Sequence, residues 1–278
     1  MKEESVLVIG LGEIGKPLYE IFSESRRFKV YGYDIDSSRS VDRYDELPRP
    51  IDFIHVAIPF SDRFIDTTIG YVEDFKPRMV LIHSTVAPGT TRKIFERIKI
   101  PIAYTPVRGK HPNIKKHLLF WTKWVASLPL EDLQDAVNHL SEAGLKVRPY
   151  RGPPESLELA KLWETVYRAL MIASWQEIHR VARRFGAEIE VIAEFVSEVH
   201  EVLKDRPIYY PDYIGGHCLI PNTKLLRLSH PSKIFDFIIE SNEKRKEEIQ
   251  QEDINEEIKK VKRVALRLTN LDYYEEFK

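Results

Sequence analysis

The glycines of Gly10-Leu11-Gly12-Glu13-Ile14-Gly15 fall at the spacing that brings a chain turn against a pyrophosphate. Gly10 permits the tight turn, Gly12 lets the backbone approach the phosphates, and Gly15 lets the following helix pack on the preceding strand. The free N–H groups and positive dipole end of that helix favour anions. Asp34 lies 19 residues beyond Gly15, where a carboxylate accepts both ribose hydroxyls of a dinucleotide and repels a 2′-phosphate. These residues predict an NAD site with NAD preferred over NADP. Arg39, five residues on, is a counterweight able to receive a 2′-phosphate.

Three further groups carry polar chemistry. His83-Ser84-Thr85-Val86-Ala87-Pro88-Gly89-Thr90-Thr91 follows an apolar run and turns into a helix that Thr90 or Thr91 would cap. Lys161 and Thr165 stand four residues apart and so share one helix side, although a helix lysine by itself most often faces solvent. Cys218, the only cysteine, closes Tyr213-Ile214-Gly215-Gly216-His217-Cys218, with Asn222 four residues later. A thiol there suits a nucleophile, with a buried, inert cysteine as the alternative; a protonated His217 close by would lower its pKa.

The elements that must position these groups change character along the chain. Val6–Ile9, Val30–Tyr33, Ile51–Ile58 and Met79–Ile82 are short apolar runs, separated by helix-like Lys16–Ser25 and Phe60–Phe75. Buried strands alternating with helices predict an α/β Rossmann domain with a doubly wound parallel sheet, which Ile100–Tyr104 and Trp124–Leu128 extend to about residue 148. After Arg151-Gly152-Pro153-Pro154 the pattern becomes helical. Leu159, Leu162, Trp163, Val166, Ala169, Leu170 and Ala173 give a long central helix one apolar face, which Gly186 ends. Trp163, Tyr167 and Trp175 lie off a single stripe and suggest a subunit interface. Ile189–Leu203 reads as amphipathic helix, Asp205–Gly216 as irregular, and Pro231–Ile249 and Gln251–Leu268 as helices. The mixed-sign block Glu243–Glu248 reads as a solvated face. The expected domains are residues 1–150, binding NAD, and 151–278, an all-helical substrate and dimerisation domain.

Composition narrows the classes. Lys and Arg number 42 against 43 Asp and Glu, a formal charge of −1, so no global field draws in nucleic acid or an anionic membrane. No apolar stretch reaches the roughly 18 residues that span a bilayer. The N-terminus lacks the basic start and cleavage site of a signal peptide, and one cysteine allows no internal disulfide; the expected setting is cytoplasmic. The other histidines show no metal-ligand spacing, so no metal is expected.

The Ser84–Thr91 turn, the helix about Lys161 and the Gly215–Cys218 segment together resemble the UDP-glucose/GDP-mannose (nucleotide-sugar) dehydrogenase family. The resemblance covers nearly the whole chain but lacks the family's C-terminal nucleotide-binding domain. It implies a homodimer built on the long helix and a cofactor set of Gly10, Gly12, Glu13, Ile14, Gly15, Asp34, Ile58, Pro59 and Ser84. The implied catalytic set is Cys218, Lys161, Thr85, Asn222 and Thr165, with substrate between Thr85, Lys161 and Cys218. Hydride transfer from a primary alcohol to NAD+, capture of the aldehyde by Cys218, a second hydride transfer and thioester hydrolysis follow, with Lys161 stabilising oxyanions and Thr85 and Asn222 positioning water. Three positions depart from the family: Thr165 replaces an Asn, Asn222 an Asp that assists proton transfer, and Val107, in Tyr104-Thr105-Pro106-Val107-Arg108-Gly109, a Glu. Two other readings stand beside this one: a two-electron hydroxyacid-type dehydrogenase using Lys161, and a non-catalytic NAD-binding or scaffold protein.

Overall fold

The structure, a computed structural model, describes residues 3–109 and 112–269. The chain divides into two compact units, the first running through Lys161 and the second from Leu162.

The first unit is a seven-stranded sheet between two helical layers. Its strands are β1 (Glu4–Ile9), β2 (Phe28–Tyr33), β3 (Phe53–Val56), β4 (Met79–Ile82), β5 (Ile102–Tyr104), β6 (Lys123–Leu128) and β7 (Val147–Pro149), in the order β2-β1-β3-β4-β5-β6-β7. The first five are parallel; β6 pairs antiparallel with β5, and β7 parallel with β6. The doubly wound reading therefore holds for β1–β5, and the chain reverses direction beyond. Side chains alternate between faces. Val6, Val8, Phe53 and Leu81 pack under α1 (Gly15–Ser25), α4 (Ile114–Phe120) and α5 (Leu133–Glu142). Leu7, Ile9, Ile54 and Ile82 pack under α2 (Phe64–Phe75) and α3 (Thr90–Ile98). Burial on both faces is why these strands are apolar runs rather than alternating ones.

The sheet register builds one straight edge. Ile9 is level with Tyr33 and Val56, Val56 with Ile82, and Ile82 with Tyr104. The following residues are locked by backbone bonds: Gly10 N–H to Tyr33 O, Ala57 N–H to Ile9 O, His83 N–H to Val56 O and Thr105 N–H to Ile82 O, at 2.8–2.9 Å. The order reverses between β2 and β3 on either side of β1, which makes this carboxyl edge the crevice where open α/β sheets take ligands.

The long helix α6 (Pro154–Arg184) runs from one unit into the other. It ends where Gly186 turns at φ +63°, with Ala187 N–H donating to Ala182 O. The second unit adds α7 (Ile189–Leu203), α8 (Leu219–Ser229), α9 (Lys233–Glu248) and α10 (Glu252–Arg267). One of its cores gathers Leu162, Val166, Ala169 and Ala173 with Ile214, Leu226, Phe235 and Ile238. The other gathers Trp175, Ala182 and Ile189 with Val261 and Val264.

Several expectations need correction. The helix expected from Phe60 starts at Phe64, because residues 57–60 form the loop at the end of β3. Leu159 is exposed rather than part of the apolar face, and Trp175 is buried in the second unit's core, which leaves Trp163 and Tyr167 as the exposed aromatics. The Glu243–Glu248 block is not uniformly solvated: Arg245 is only 1% exposed. Helices α4, α5 and α8 add to the expected elements.

Candidate active site

At the sheet edge the glycine turn has the conformation its spacing requires. Gly10 sits at φ +87°, and a Cβ there would lie 2.8 Å from Ala57 O. A Cβ on Gly15 would lie 1.7 Å from Gly10 O, so the start of α1 touches the end of β1 through bare backbone. Gly12, by contrast, faces open space, with only Arg39 Nη1 at 4.0 Å. Such a cradle fits a phosphate chain: of the three glycines, only Gly12 leaves room for an approaching group. Glu13 is exposed and Ile14 half-buried.

Asp34, one residue past β2, reaches this turn. Its Oδ2 accepts the Leu11 N–H at 2.7 Å and its Oδ1 the Asp36 N–H at 2.9 Å. The carboxylate is thus held beside the glycine loop, where a dinucleotide's ribose would meet it. Arg39 is paired with Asp36 at 3.2 Å while it reaches over Gly12. Ser84 Oγ donates to Ile58 O at 2.6 Å and ties the ends of β3 and β4 together. Thr85 and Ile58 are half-buried and Pro59 exposed. The expected cofactor residues therefore share one edge of the first unit.

The turn after Thr85 is fixed by a residue that the motif did not reveal. Neither Thr90 nor Thr91 caps α3, since the Thr90 hydroxyl donates back to Ala87 O. Instead Glu158, fully buried on α6, accepts the Gly89 N–H at 2.6 Å, the Thr91 N–H at 2.9 Å and the Thr91 hydroxyl at 2.7 Å. Burial raises the Glu158 pKa, and the three donors oppose that shift. Arg92 adds a two-pronged pair with Glu155. A helix N-terminus lacks partners for its first N–H groups, and here a carboxylate from α6 supplies them.

Beneath the edge lies a second unforeseen group. His55 Nδ1 is 2.9 Å from His83 Nε2, and His55 Nε2 is 2.8 Å from His139 Nε2. All three imidazoles are buried, and burial drives them neutral, His55 down to about 3 and the others well below the ordinary value. Each neutral ring carries one N–H. Whichever way the chain polarises, one Nδ1–H is left without an acceptor at one end and one bare Nδ1 at the other, and neither His83 Nδ1 nor His139 Nδ1 has a partner. Because His55 bridges with both nitrogens, the rings form a file rather than a cup for a metal. Among the described residues no group of three or more His, Cys, Asp or Glu converges on a metal position. Nearby, Lys123 is buried with Nζ donating to Thr105 O at 2.8 Å. Burial, and then the Lys161 and Arg108 charges, push its amine well below the usual lysine value. A histidine inside the apolar run Phe53–Val56 was the available sequence signal for this file.

Lys161 is half-buried on α6. In the second unit, Cys218 is exposed at the residue preceding α8. Asn222 follows one turn on, its N–H donating to Cys218 O. Its side-chain Nδ2 donates to Thr165 Oγ1 at 2.9 Å, and Thr165 donates to Leu162 O. The two polar residues that depart from the family pattern are therefore each other's partners, and both are buried. Val107, the third departure, is buried in the first unit's core.

Residues 155–244 match the family model of the UDP-glucose/GDP-mannose dehydrogenase family, central domain. The UDP-N-acetyl-D-mannosamine dehydrogenase of Pyrococcus horikoshii is 26% identical, across 84% of this chain and 66% of that protein. The enzyme of the same name from Methanocaldococcus jannaschii is 25% identical, across 77% and 59%. The chain thus spans about two thirds or less of these relatives' length. Among solved structures, the P. horikoshii UDP-D-ManNAc dehydrogenase superposes with TM-score 0.75 at 22% identity, covering 86% of this chain and 68% of that one. The 3-hydroxyisobutyrate dehydrogenase of Mycobacterium tuberculosis shares the fold at TM-score 0.63 and 13% identity, covering 85% and 91%.

Proposed function

On the premise that this chain belongs to the UDP-glucose/GDP-mannose dehydrogenase family, we propose that it is an NAD-dependent dehydrogenase that oxidises a primary alcohol of a sugar-like substrate to an acid. The observation that carries the reading is the exposed Cys218 at the start of α8, presented by Gly215-Gly216-His217 inside the stretch that matches the family. Gly10–Gly15, Asp34, Ile58, Pro59 and Ser84 would hold NAD+, which would supply the hydride acceptor. Asp34, already beside the glycine loop, favours NAD over NADP. Thr85 would face the bound cofactor, Lys161 would stabilise the developing oxyanion, and the Cys218 thiolate would add to the aldehyde. Asn222 and Thr165 brace the α8 end through their mutual bond. Exposed Trp163 and Tyr167 on α6 suit a homodimer face, and the single cysteine accords with a cytoplasmic setting.

The same buried pair favours a second reading. Asn222 cannot act as a general base, and its amide is already committed to Thr165; a two-electron dehydrogenase that stops after one hydride and relies on Lys161 needs no base there. Counting NADH per product with UDP-N-acetylmannosamine and NAD+ decides. Two NADH per acid, with a Cys218→Ser variant that stops after one, supports the four-electron route. One NADH with an indifferent Cys218→Ser overturns it in favour of the second reading, and no turnover with retained NAD binding leaves a scaffold.

A further inference from the structure

The chain from Lys204 to Cys218 contains no helix or strand, yet one stretch of it is tightly held. Asn242 of α9 is buried and faces the peptide groups of Ile214. Its Oδ1 accepts the Ile214 N–H at 2.7 Å, and its Nδ2 donates to Ile214 O at 3.2 Å. One side-chain amide thus answers both backbone groups of one residue, as a neighbouring strand would. Gln176 of α6, fully buried, donates from Nε2 to Asp212 O at 2.7 Å, and its Oε1 accepts the Ser241 hydroxyl at 2.8 Å.

The support continues behind it. Arg245 Nη2 donates to Gln176 O at 3.0 Å, and Arg245 Nη1 lies 3.0 Å from His179 Nδ1. A guanidinium only donates, so His179 Nδ1 accepts and its Nε2–H donates to Glu257 at 2.6 Å. The order runs Glu257, His179, Arg245, Gln176 and Ser241, with Asn242 beside Gln176 and the Ile214 peptide at its tip.

Beyond Ile214 come Gly215 and Gly216, the latter at φ +80°, then exposed His217 and Cys218. Ile214 is the last buried residue before the thiol. We propose that Asn242, held by Gln176, is the positioning residue for Cys218: it fixes the peptide from which the diglycine turn departs, while the Asn222–Thr165 bond fixes the helix on the far side. Two glycines in a row have wide conformational freedom, so without a fixed peptide ahead of them Cys218 is anchored only from the α8 side. The inference rests on the reading of Cys218 as the reacting thiol.

The test is amide hydrogen exchange of residues 209–218 in intact Asn242→Ala and Asn242→Asp proteins, run beside turnover and NAD+ affinity. In Asn242→Ala the Ile214 amide should exchange about 100-fold faster, with β1–β4 protection unchanged. kcat should fall about tenfold or more while the NAD+ KM holds, because misplacing a reacting group costs rate rather than cofactor binding. Asn242→Asp keeps the acceptor for Ile214 N–H and should lie between wild type and Asn242→Ala; it also serves if Asn242→Ala fails to fold. Unchanged Ile214 exchange in the folded variants overturns the clamp. Faster exchange with unchanged kcat overturns its positioning role, provided that Cys218→Ser is impaired. If Cys218→Ser is unimpaired, the thiol reading fails, while the clamp is still judged by exchange.

Discussion

At the carboxyl edge of the sheet, Gly10, Ala57, His83 and Thr105 are fixed by backbone bonds to neighbouring strands, whereas residues 205–218 take their fixed points from the side chains of Asn242 and Gln176. In the first region a bound dinucleotide would meet main chain whose place is set by register, and what matters is the absence of side chains at Gly10 and Gly15. In the second an exposed thiol is carried on a segment without helix or strand, and residues of α6 and α9 supply the order that register supplies in the sheet. Positions of the first kind should fail when an atom is added, and those of the second kind when a hydrogen-bond partner is removed.

The largest effect is expected at Gly15. A Cβ there meets Gly10 O at 1.7 Å with no flexible atom to yield, so Gly15→Val should abolish NAD binding in calorimetry and lower the melting temperature of the protein. Gly12→Ala, where a Cβ has room in the protein alone, should leave folding intact and weaken only the dinucleotide. Normal NAD affinity in Gly15→Val would show that the turn is not held by bare backbone.

Acid should separate the regions next. The folded-state pKa values of His55, His83 and His139 lie below the unfolded value. Unfolded chains therefore take up protons that the native unit refuses. Stability is full above pH about 6.5 and falls as pH drops towards the folded values, near 3 for His55. His179, the buried histidine of the second unit, has Glu257 as a partner that opposes the effect of burial. Exchange protection in β3 should therefore weaken between pH 6.5 and 5 more than protection in α6 beyond Leu162. Equal weakening of both would remove the distinction.

What could be read beforehand follows the same division. The strands, the glycine turn and Asp34 are local patterns, since the fold that uses them is written into consecutive residues. The departures Thr165, Asn222 and Val107 were visible as departures, but that the first two bond to each other and the third joins a core depends on residues 57 positions apart or on packing. Arg245 illustrates the limit: inside Glu243-Lys244-Arg245-Lys246-Glu247-Glu248 nothing local distinguishes the one cation that turns inward to His179 and Gln176. His55, His83 and His139 are equally scattered in sequence and meet only when the sheet is assembled. Glu158 stood one turn from Lys161, yet its role required knowing that the start of α3 lacked a cap of its own.

Glu158 should give an effect of intermediate size. Glu158→Ala leaves two backbone donors and one hydroxyl at the start of α3 without acceptors, and the loss should be about 3 kcal/mol in urea unfolding. Glu158→Gln still accepts but loses the charge at the helix N-terminus and should recover part of it. If both variants match wild type, the Thr85–Thr91 turn holds by its own backbone, and the first region needs no side chain from α6.

The smallest effect, and the sharpest probe of the second region, lies in the Asn222–Thr165 pair. One neutral hydrogen bond contributes about 1 kcal/mol, and more is lost when one partner is left buried alone. Thr165→Val and Asn222→Leu should each destabilise the protein, but together they should cost less than the sum, with a coupling of about 1 kcal/mol in a double-mutant cycle. Strict additivity would mean that the two residues do not act as a pair. Thr165→Asn with Asn222→Asp, which restores both residues that the family resemblance implies, extends the probe to chemistry. An Asp in place of Asn222 would accept from the Asn amide at 165 and could still take a proton from water, so release from Cys218 should quicken about tenfold or more, with stability changed by no more than about 1 kcal/mol. Unchanged turnover in the restored pair would show that position 222 serves only to brace the start of α8.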